Sequence, residues 1–320
     1  MNISNEYIPV LLSTILVDTI TGCNLYVKND ENNKITYILY CTGTNAISQD
    51  KISGLKKNKI DYLYIHEQDH KKYLQYVELC FNKIIDAEGI SNTEKLQITY
   101  NLAKNIMEDV FHDPRSPVHM KRVKNWVSNT IDIFLKDENT AGILTMLAFD
   151  YGTYTHSVNV SVLGLLFSKY LNLKVEEMKA LGAGLMLHDI GKSQISPQIF
   201  NKKGTLINEE FRKMKMHVRF GKRLLLQVND FEDMVIYPVM QHHEKIDGKG
   251  YPKGLKGDAI HKYAKIAAII DVYDALTTKR PYSCARTPYE ALKIMKDEMR
   301  GSFDEKLFRD FILFLKQAIK

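Results

Sequence analysis

Titratable side chains set inside apolar helical runs constrain this chain more than any other feature. An unpaired charge or a polar group without a partner is costly to bury, so each such placement demands a partner. The apolar run Ala183–Leu187 ends in His188 and Asp189, followed by Ile190-Gly191-Lys192. His156 stands at the head of another apolar run, in Thr155-His156-Ser157-Val158-Asn159-Val160. His217 follows Lys215-Met216, and His242 and His243 are consecutive and precede Glu244. Asp271 lies in Ile269-Ile270-Asp271-Val272-Tyr273-Asp274. Singly, each of these reads as a satisfied core or surface residue. Together they are five of the ten histidines and two aspartates, all in or beside apolar helices. Neutral imidazole and carboxylate are ligands for first-row metals, and a shared metal site accounts for the whole set at once.

The organisation of the chain follows from its patterning. At 320 residues it is long for one domain and comfortable for two. The first stretch is β-rich: Cys23–Val27 and Ile35–Cys41 flank the polar run KNDENNK, a hairpin pattern, and Tyr62–Ile65 is a further strand. Lys51–Lys59 reads as a short basic helix leading into that strand. His66 and His70, spaced i, i+4, read as solvated surface, since two histidines do not complete a metal site. From Gln68 onward the pattern is helical. Ser91 as N-cap and Glu94 at the capping-box position open a helix that His112-Asp113-Pro114 ends, and Pro117 opens the next. The chain divides into a small α/β module over residues 1–90, a helical linker over 91–140 and an all-α domain over 141–320. The fold class is therefore multidomain α+β, without internal repeats.

Composition limits the partners. The formal net charge of +6 is mild for this length and spread along the chain, so no nucleic-acid surface is implied. The four cysteines, Cys23, Cys41, Cys80 and Cys284, form no C-x-x-C pair and read as reduced residues. The apolar segment Tyr7–Leu16 is too short to span a bilayer and lacks the basic lead of a secretory signal. The expectation is a cytoplasmic protein with no membrane insertion.

The order His156…His188-Asp189…Asp271 resembles that of the HD metal-dependent phosphohydrolase superfamily. His242–Pro252, HHEKIDGKGYP, resembles the signature of its HD-GYP family, as do HDIGK at 188–192, DVYDA at 271–275 and KRPY at 279–282. The resemblance runs from about Ile143 to the C-terminus. It implies an all-α HD-type domain with a binuclear metal site. One metal would be held by His156, His188, Asp189 and Asp271, and the second by His217, His242 and His243, with Asp189 bridging. It implies two divalent transition-metal ions, iron first and manganese next, a donor mix of nitrogen and oxygen suiting both. It further implies hydrolysis of cyclic di-GMP to pGpG, and onward to GMP where a second cut follows. The module over residues 1–90 would then be regulatory. Implied partners are a diguanylate cyclase or another signalling protein meeting the chain through the GYP loop, and a second copy of the chain.

Four further residues bear on the chemistry. Asp189 and Lys192 are the expected catalytic pair, Lys192 adding positive charge where the phosphoryl group reacts; its plain alternative is a solvated lysine. Arg280 suits a phosphate or a guanine edge, with a surface salt bridge as the alternative. Gly248–Gly257 reads as a rigid loop that shapes the substrate entrance, from which Tyr251 stacks on a base or donates a hydrogen bond. Some family members carry an acidic residue one turn before the first histidine; here that position is Gly152, and Asp150 is out of phase with it. Two metals are expected on that ground. The ligand set does not separate cyclic di-GMP from a cyclic GMP-AMP substrate, nor a hydrolase from a signalling module that binds the nucleotide without turnover.

Overall fold

The structure, a computed structural model of the chain, describes residues 6–31, 34–87, 90–136, 153–200, 202, 204–279 and 285–318. The chain divides into two compact units, Met1–Ile98 and Thr99–Lys320.

The first unit holds a four-stranded sheet of β1 (Tyr7–Leu11), β2 (Leu25–Glu31), β3 (Lys34–Cys41) and β4 (Tyr62–His66), in the order β1-β4-β2-β3 with every pair antiparallel. Its helices are α1 (Gln49–Lys57), α2 (His70–Leu79) and α3 (Phe81–Ile85). The expected hairpin is present, but its strands run well into the polar stretch: Lys28 pairs with Tyr37 and Asp30 with Ile35. A ladder is made by backbone groups, so polar side chains on a solvated strand do not end it. Tyr7–Leu11, read from sequence only as a short apolar segment, is the strand β1. Its Pro9 pairs with Tyr64 on an edge strand, where a missing N–H costs no ladder bond on the open side. Leu63 and Ile65 alternate with the outward Tyr62 and are fully buried; Ile52 and Leu55 of α1 and Val77 of α2 are buried too. His66 is half-buried at the end of β4 and His70 exposed at the start of α2. Cys23, Cys41 and Cys80 are free thiols.

The second unit is helical and begins within α4 (Asn92–His112). That helix starts, in the first unit, as expected: Ser91 Oγ accepts from the Glu94 N–H at 3.2 Å, and Glu94 Oε2 accepts from the Ser91 N–H at 2.8 Å. α5 (Pro117–Lys136) is tied to α4 by Arg122 on Asp109 (2.7 Å) and by the Trp126 indole N–H on the Thr99 carbonyl (2.8 Å). The following helices are α6 (Thr153–Tyr170), α7 (Val175–Met186), a 3-10 turn (Ile190–Gln194), α8 (Pro197–Phe200), α9 (Asn208–Met214), α10 (His217–Val228) and α11 (Asp233–Gln241). After a loop come α12 (Lys262–Thr277), α13 (Pro288–Asp297) and α14 (Glu305–Ala318).

α6 is buried on every side from Thr155 to Ser168. A helix apolar all round has no solvent face to present and becomes the centre of a core. α7 and α12 pack on it, α11 packs on α7 and α12, and α10 packs on α11 and on the 3-10 turn. Two polar residues of α6 are held by their own bonds: Ser161 donates to the Gly182 carbonyl (3.0 Å) and Ser168 to that of Leu165 (2.7 Å). Among the described residues, no helix is long and apolar enough to cross a membrane.

Candidate metal centre

Five elements deliver the titratable residues singled out in the sequence to one place. His156 comes from the first turn of α6, His188 and Asp189 from the link between α7 and the 3-10 turn, and His217 from the first residue of α10. His242 and His243 follow the last residue of α11, and Asp271 sits mid-way along α12. His156, His188, Asp189, His217 and His242 are buried; His243 and Asp271 keep partial access. Their donor atoms fall into three overlapping groups, each within 4.8 Å: His156, His188 and Asp271; His188, Asp189 and His242; and His217, His242 and His243.

Asp189 lies between the outer two groups. Its Oδ2 is 3.4 Å from His188 Nε2 and 3.8 Å from His156 Nε2, while its Oδ1 is 3.4 Å from His217 Nε2 and 3.9 Å from His242 Nε2. One carboxylate thus presents one oxygen to each side. Asp271 Oδ1 closes the first group, 3.1 Å from His156 Nε2 and 3.9 Å from His188 Nε2.

The backbone fixes which imidazole nitrogen faces inward. Nδ1 of His188 lies 2.7 Å from the Leu185 carbonyl, Nδ1 of His217 is 2.8 Å from that of Met214, and Nδ1 of His242 is 2.7 Å from that of Pro238. A carbonyl only accepts, so each Nδ1 carries the proton and each Nε2 turns a lone pair into the cluster. Orienting bonds of this kind are the usual support of a ligating histidine. His156 differs: its Nδ1 is held at 2.7 Å by Asp274 Oδ2.

The electrostatics agree with this arrangement. Burial pushes His217 and His242 down to about 4, and it lowers His188 and His243 as well. Burial acts the same way on His156, but hydrogen bonds to Asp271 and Asp274 outweigh it and lift the ring to about 10. Burial alone would raise the Asp189 carboxyl; the Lys192 ammonium and the surrounding imidazoles hold it well below the usual carboxylate range. Around two ionised carboxylates, Asp189 and Asp271, the cluster therefore sets neutral imidazole lone pairs from His188, His217, His242 and His243, while Asp271 and Asp274 favour the protonated ring of His156.

Such a set fits a divalent cation. His188 Nε2 and Asp189 Oδ1 are fully buried and have no hydrogen-bond partner. A buried orphan nitrogen and a buried orphan carboxylate oxygen are costly, and a cation between them satisfies both. Nε2 of His217 and of His242 approach to 3.4 Å, each with its Nδ1 proton committed elsewhere. Two facing lone pairs repel unless a positive charge lies between them. Imidazole nitrogen with carboxylate oxygen suits first-row transition metals.

Glycine makes the convergence sterically feasible at two points. A Cβ on Gly191 would lie 1.9 Å from the His217 carbonyl oxygen and 2.5 Å from the Gly221 nitrogen, so only glycine lets the 3-10 turn lie on α10 and bring Asp189 to His217. A Cβ on Gly250 would meet the Lys245 nitrogen at 2.4 Å and the Glu244 Cα at 2.5 Å. The loop after α11 is folded that tightly on its own start. The buried Glu244 holds it there, its carboxylate accepting from the N–H groups of Lys253 (2.8 Å) and Leu255 (3.0 Å).

The remaining expected residues separate. Lys192 is half-buried and ion-paired with Asp189 Oδ2, at the cluster. Tyr251 lies beside it too, its ring 4.6 Å from that of His243, with the Lys215 ammonium over the ring at 5.2 Å from its centroid. Arg280, Gly152 and Asp150 lie outside the described residues. Sequence reasoning missed Glu244 and Asp274 as supporting residues. For Asp274 a signal was present: it stands three residues after Asp271 in an apolar helix, as Asn159 stands three after His156.

Residues 143–307 match the family model of the HD domain, slightly more than half of the chain. The chain belongs to the HD domain family. The divalent-metal dependence of HD domains accords with the His and Asp groups described above. This HD domain carries the strings HDIGK and HHEKIDGKGYP that make it resemble the HD-GYP members. It is 39% identical to cyclic di-GMP phosphodiesterase PA4108 of Pseudomonas aeruginosa, over 51% of this chain and 39% of that protein. It is 33% identical to 3'3'-cGAMP-specific phosphodiesterase 3 of Vibrio cholerae, over 49% of this chain and 34% of that protein. The match thus spans less than half the length of these curated relatives. Among solved structures, Bd1817, an HDG"Y"P protein from Bdellovibrio bacteriovorus, shares the fold: TM-score 0.66 over 97% of this chain and 100% of that one, at 22% identity.

Proposed function

We propose that the protein is a divalent-metal-dependent phosphodiesterase that opens cyclic di-GMP to pGpG. The observation that carries this reading is the placement of Asp189, one oxygen toward His156 and His188 and the other toward His217 and His242. The proposed ligands are His156, His188, Asp189 and Asp271 for one ion and His217, His242, His243 and Asp189 for a second, with iron favoured and manganese next. Gly152 offers no side chain for a third. When bound, such ions supply Lewis acidity and positive charge to the scissile phosphodiester.

The chain's own residues do the rest. Lys192, held by Asp189 at the edge of the cluster, places a cation beside the reacting phosphoryl oxygens. Tyr251, packed on His243, offers a ring face and a hydroxyl to a base at the rim, and Glu244 keeps its loop in place. The relative from Pseudomonas aeruginosa, named a cyclic di-GMP phosphodiesterase, supports the choice of substrate. A second reading, 3'3'-cGAMP as substrate, is favoured by the names of the relatives from Vibrio cholerae at 33% and 38% identity. The unit Met1–Ile98 is proposed to regulate the reaction.

The test is turnover by metal-loaded protein on a panel of cyclic dinucleotides, with products separated by chromatography. Linear pGpG from cyclic di-GMP at the highest kcat/KM supports the proposal. Preference for the mixed dinucleotide selects the second reading, and tight binding without turnover would point to a signalling module.

A further inference from the structure

Asp274 connects His156 to more than the metal centre. Its Oδ2 holds His156 Nδ1 at 2.7 Å, and its Oδ1 accepts from Asn159 Nδ2 at 2.9 Å and Thr278 Oγ1 at 3.2 Å. Asn159 Oδ1 in turn accepts from the Tyr100 hydroxyl at 2.7 Å. Four buried side chains from three helices thus form one hydrogen-bonded chain, Tyr100–Asn159–Asp274–His156, whose last member also contacts Asp271 at 3.1 Å. Each link has one direction. The Asn159 oxygen accepts from the tyrosine, which turns its NH2 group toward Asp274, and the Asp274 carboxylate only accepts.

The first link lies on α4. The division between the two compact units falls inside this helix, between Ile98 and Thr99, so Tyr100 stands in the first turn beyond it. Tyr100 and Asn159 are 59 positions apart in sequence. The Tyr100 hydroxyl orients the Asn159 amide plane from α4, through a bond that a small rotation of α4 would lengthen. A buried polar network is rigid when complete and costly when one member is removed.

We propose that Tyr100 is a positioning residue for the metal site of His156 and Asp271, and that it makes occupancy of that site depend on the placement of α4. The inference rests on the ligand assignment proposed above. Tyr100 acts on His156 through Asn159 and Asp274. Because the chain ends at His156, the effect falls on one metal site. His217 and His242 take their orientation from the Met214 and Pro238 carbonyls, which Tyr100 does not reach.

The test is calorimetric titration of metal-stripped, full-length protein with Mn²⁺ under chelator competition. Unmodified protein is compared with Tyr100→Phe, Asp274→Asn and Tyr73→Phe, with circular dichroism recorded for each. Tyr100→Phe removes one hydroxyl and keeps the ring. It is expected to weaken one of two sites by about tenfold and leave the other unchanged; Asp274→Asn is expected to weaken the same site by up to about 100-fold, the range of lost orienting partners. Tyr73→Phe loses a buried hydroxyl bonded at 2.6 Å to Thr14 and is expected to change neither site. Asn159→Ala cuts the same chain one link further on and replaces Tyr100→Phe if that variant folds poorly. Unchanged binding by Tyr100→Phe overturns the inference, and so does equal weakening of both sites, which marks a general loosening. If unmodified protein binds fewer than two ions, the ligand assignment fails and takes the inference with it; a normal two-site titration with an unaffected Tyr100→Phe sinks the inference alone.

Discussion

At the scale of single residues, the site is a matter of which groups are left without partners. Among the described residues, His188 Nε2 and Asp189 Oδ1 are buried side-chain atoms left without a hydrogen-bond partner. Lys192 is ion-paired with that carboxylate. Lys192→Ala is expected to retain the full metal content, since Lys192 is no ligand, and to lower kcat about 10²–10³-fold, the usual loss for one transition-state charge stabiliser. An unchanged rate with normal metal content returns Lys192 to the role of a solvated lysine. His66→Ala, half-buried at the end of β4, is expected to change neither metal content nor rate. The residues of the cluster were legible in the sequence because histidine and aspartate stand out against apolar helices. Their support was not. That Asp274 holds His156 is a contact across 118 positions, and no local pattern states which two helix faces meet.

At the scale of elements, pairs of polar residues at i, i+3 explain how the helices meet. His156 and Asn159 share a face of α6, Asp271 and Asp274 share a face of α12, and the two faces are bonded to each other. The 3-10 turn reaches α10 only because Gly191 has no side chain. Gly191→Ala is expected to destabilise the protein by ~1–3 kcal/mol, as overpacking does, and to reduce metal content by moving Asp189 away from His217; thermal unfolding and metal analysis together check this. Normal values of both would mean the close approach of Gly191 to His217 is not required. Glu244→Ala removes the acceptor of two backbone N–H groups in a buried position and is expected to cost ~1–3 kcal/mol, raising KM while metal content stays normal. Helix boundaries with chemical stops, such as the Ser91–Glu94 box and Pro117, were readable to the residue. β1 was not, because a five-residue apolar strand with a proline has the same local pattern as a loop and gains its identity only by pairing with β4.

At the scale of the whole molecule, the chain places its candidate chemistry in one of two units. All seven proposed ligands lie within Thr99–Lys320, so ions bind that unit in its folded state and stabilise it by mass action. A chelator is expected to lower the unfolding temperature of metal-loaded protein, and added Mn²⁺ to restore it; a melt indifferent to chelator would contradict a structural coupling between the ions and the helical core. The central claim is that one carboxylate serves two metal ions. Metal content of anaerobically purified Asp189→Ala, measured by plasma mass spectrometry beside the unmodified protein, tests it most directly. The account predicts two ions per unmodified chain and neither retained in the variant; an Asp189→Ala protein that keeps its full metal complement would contradict it.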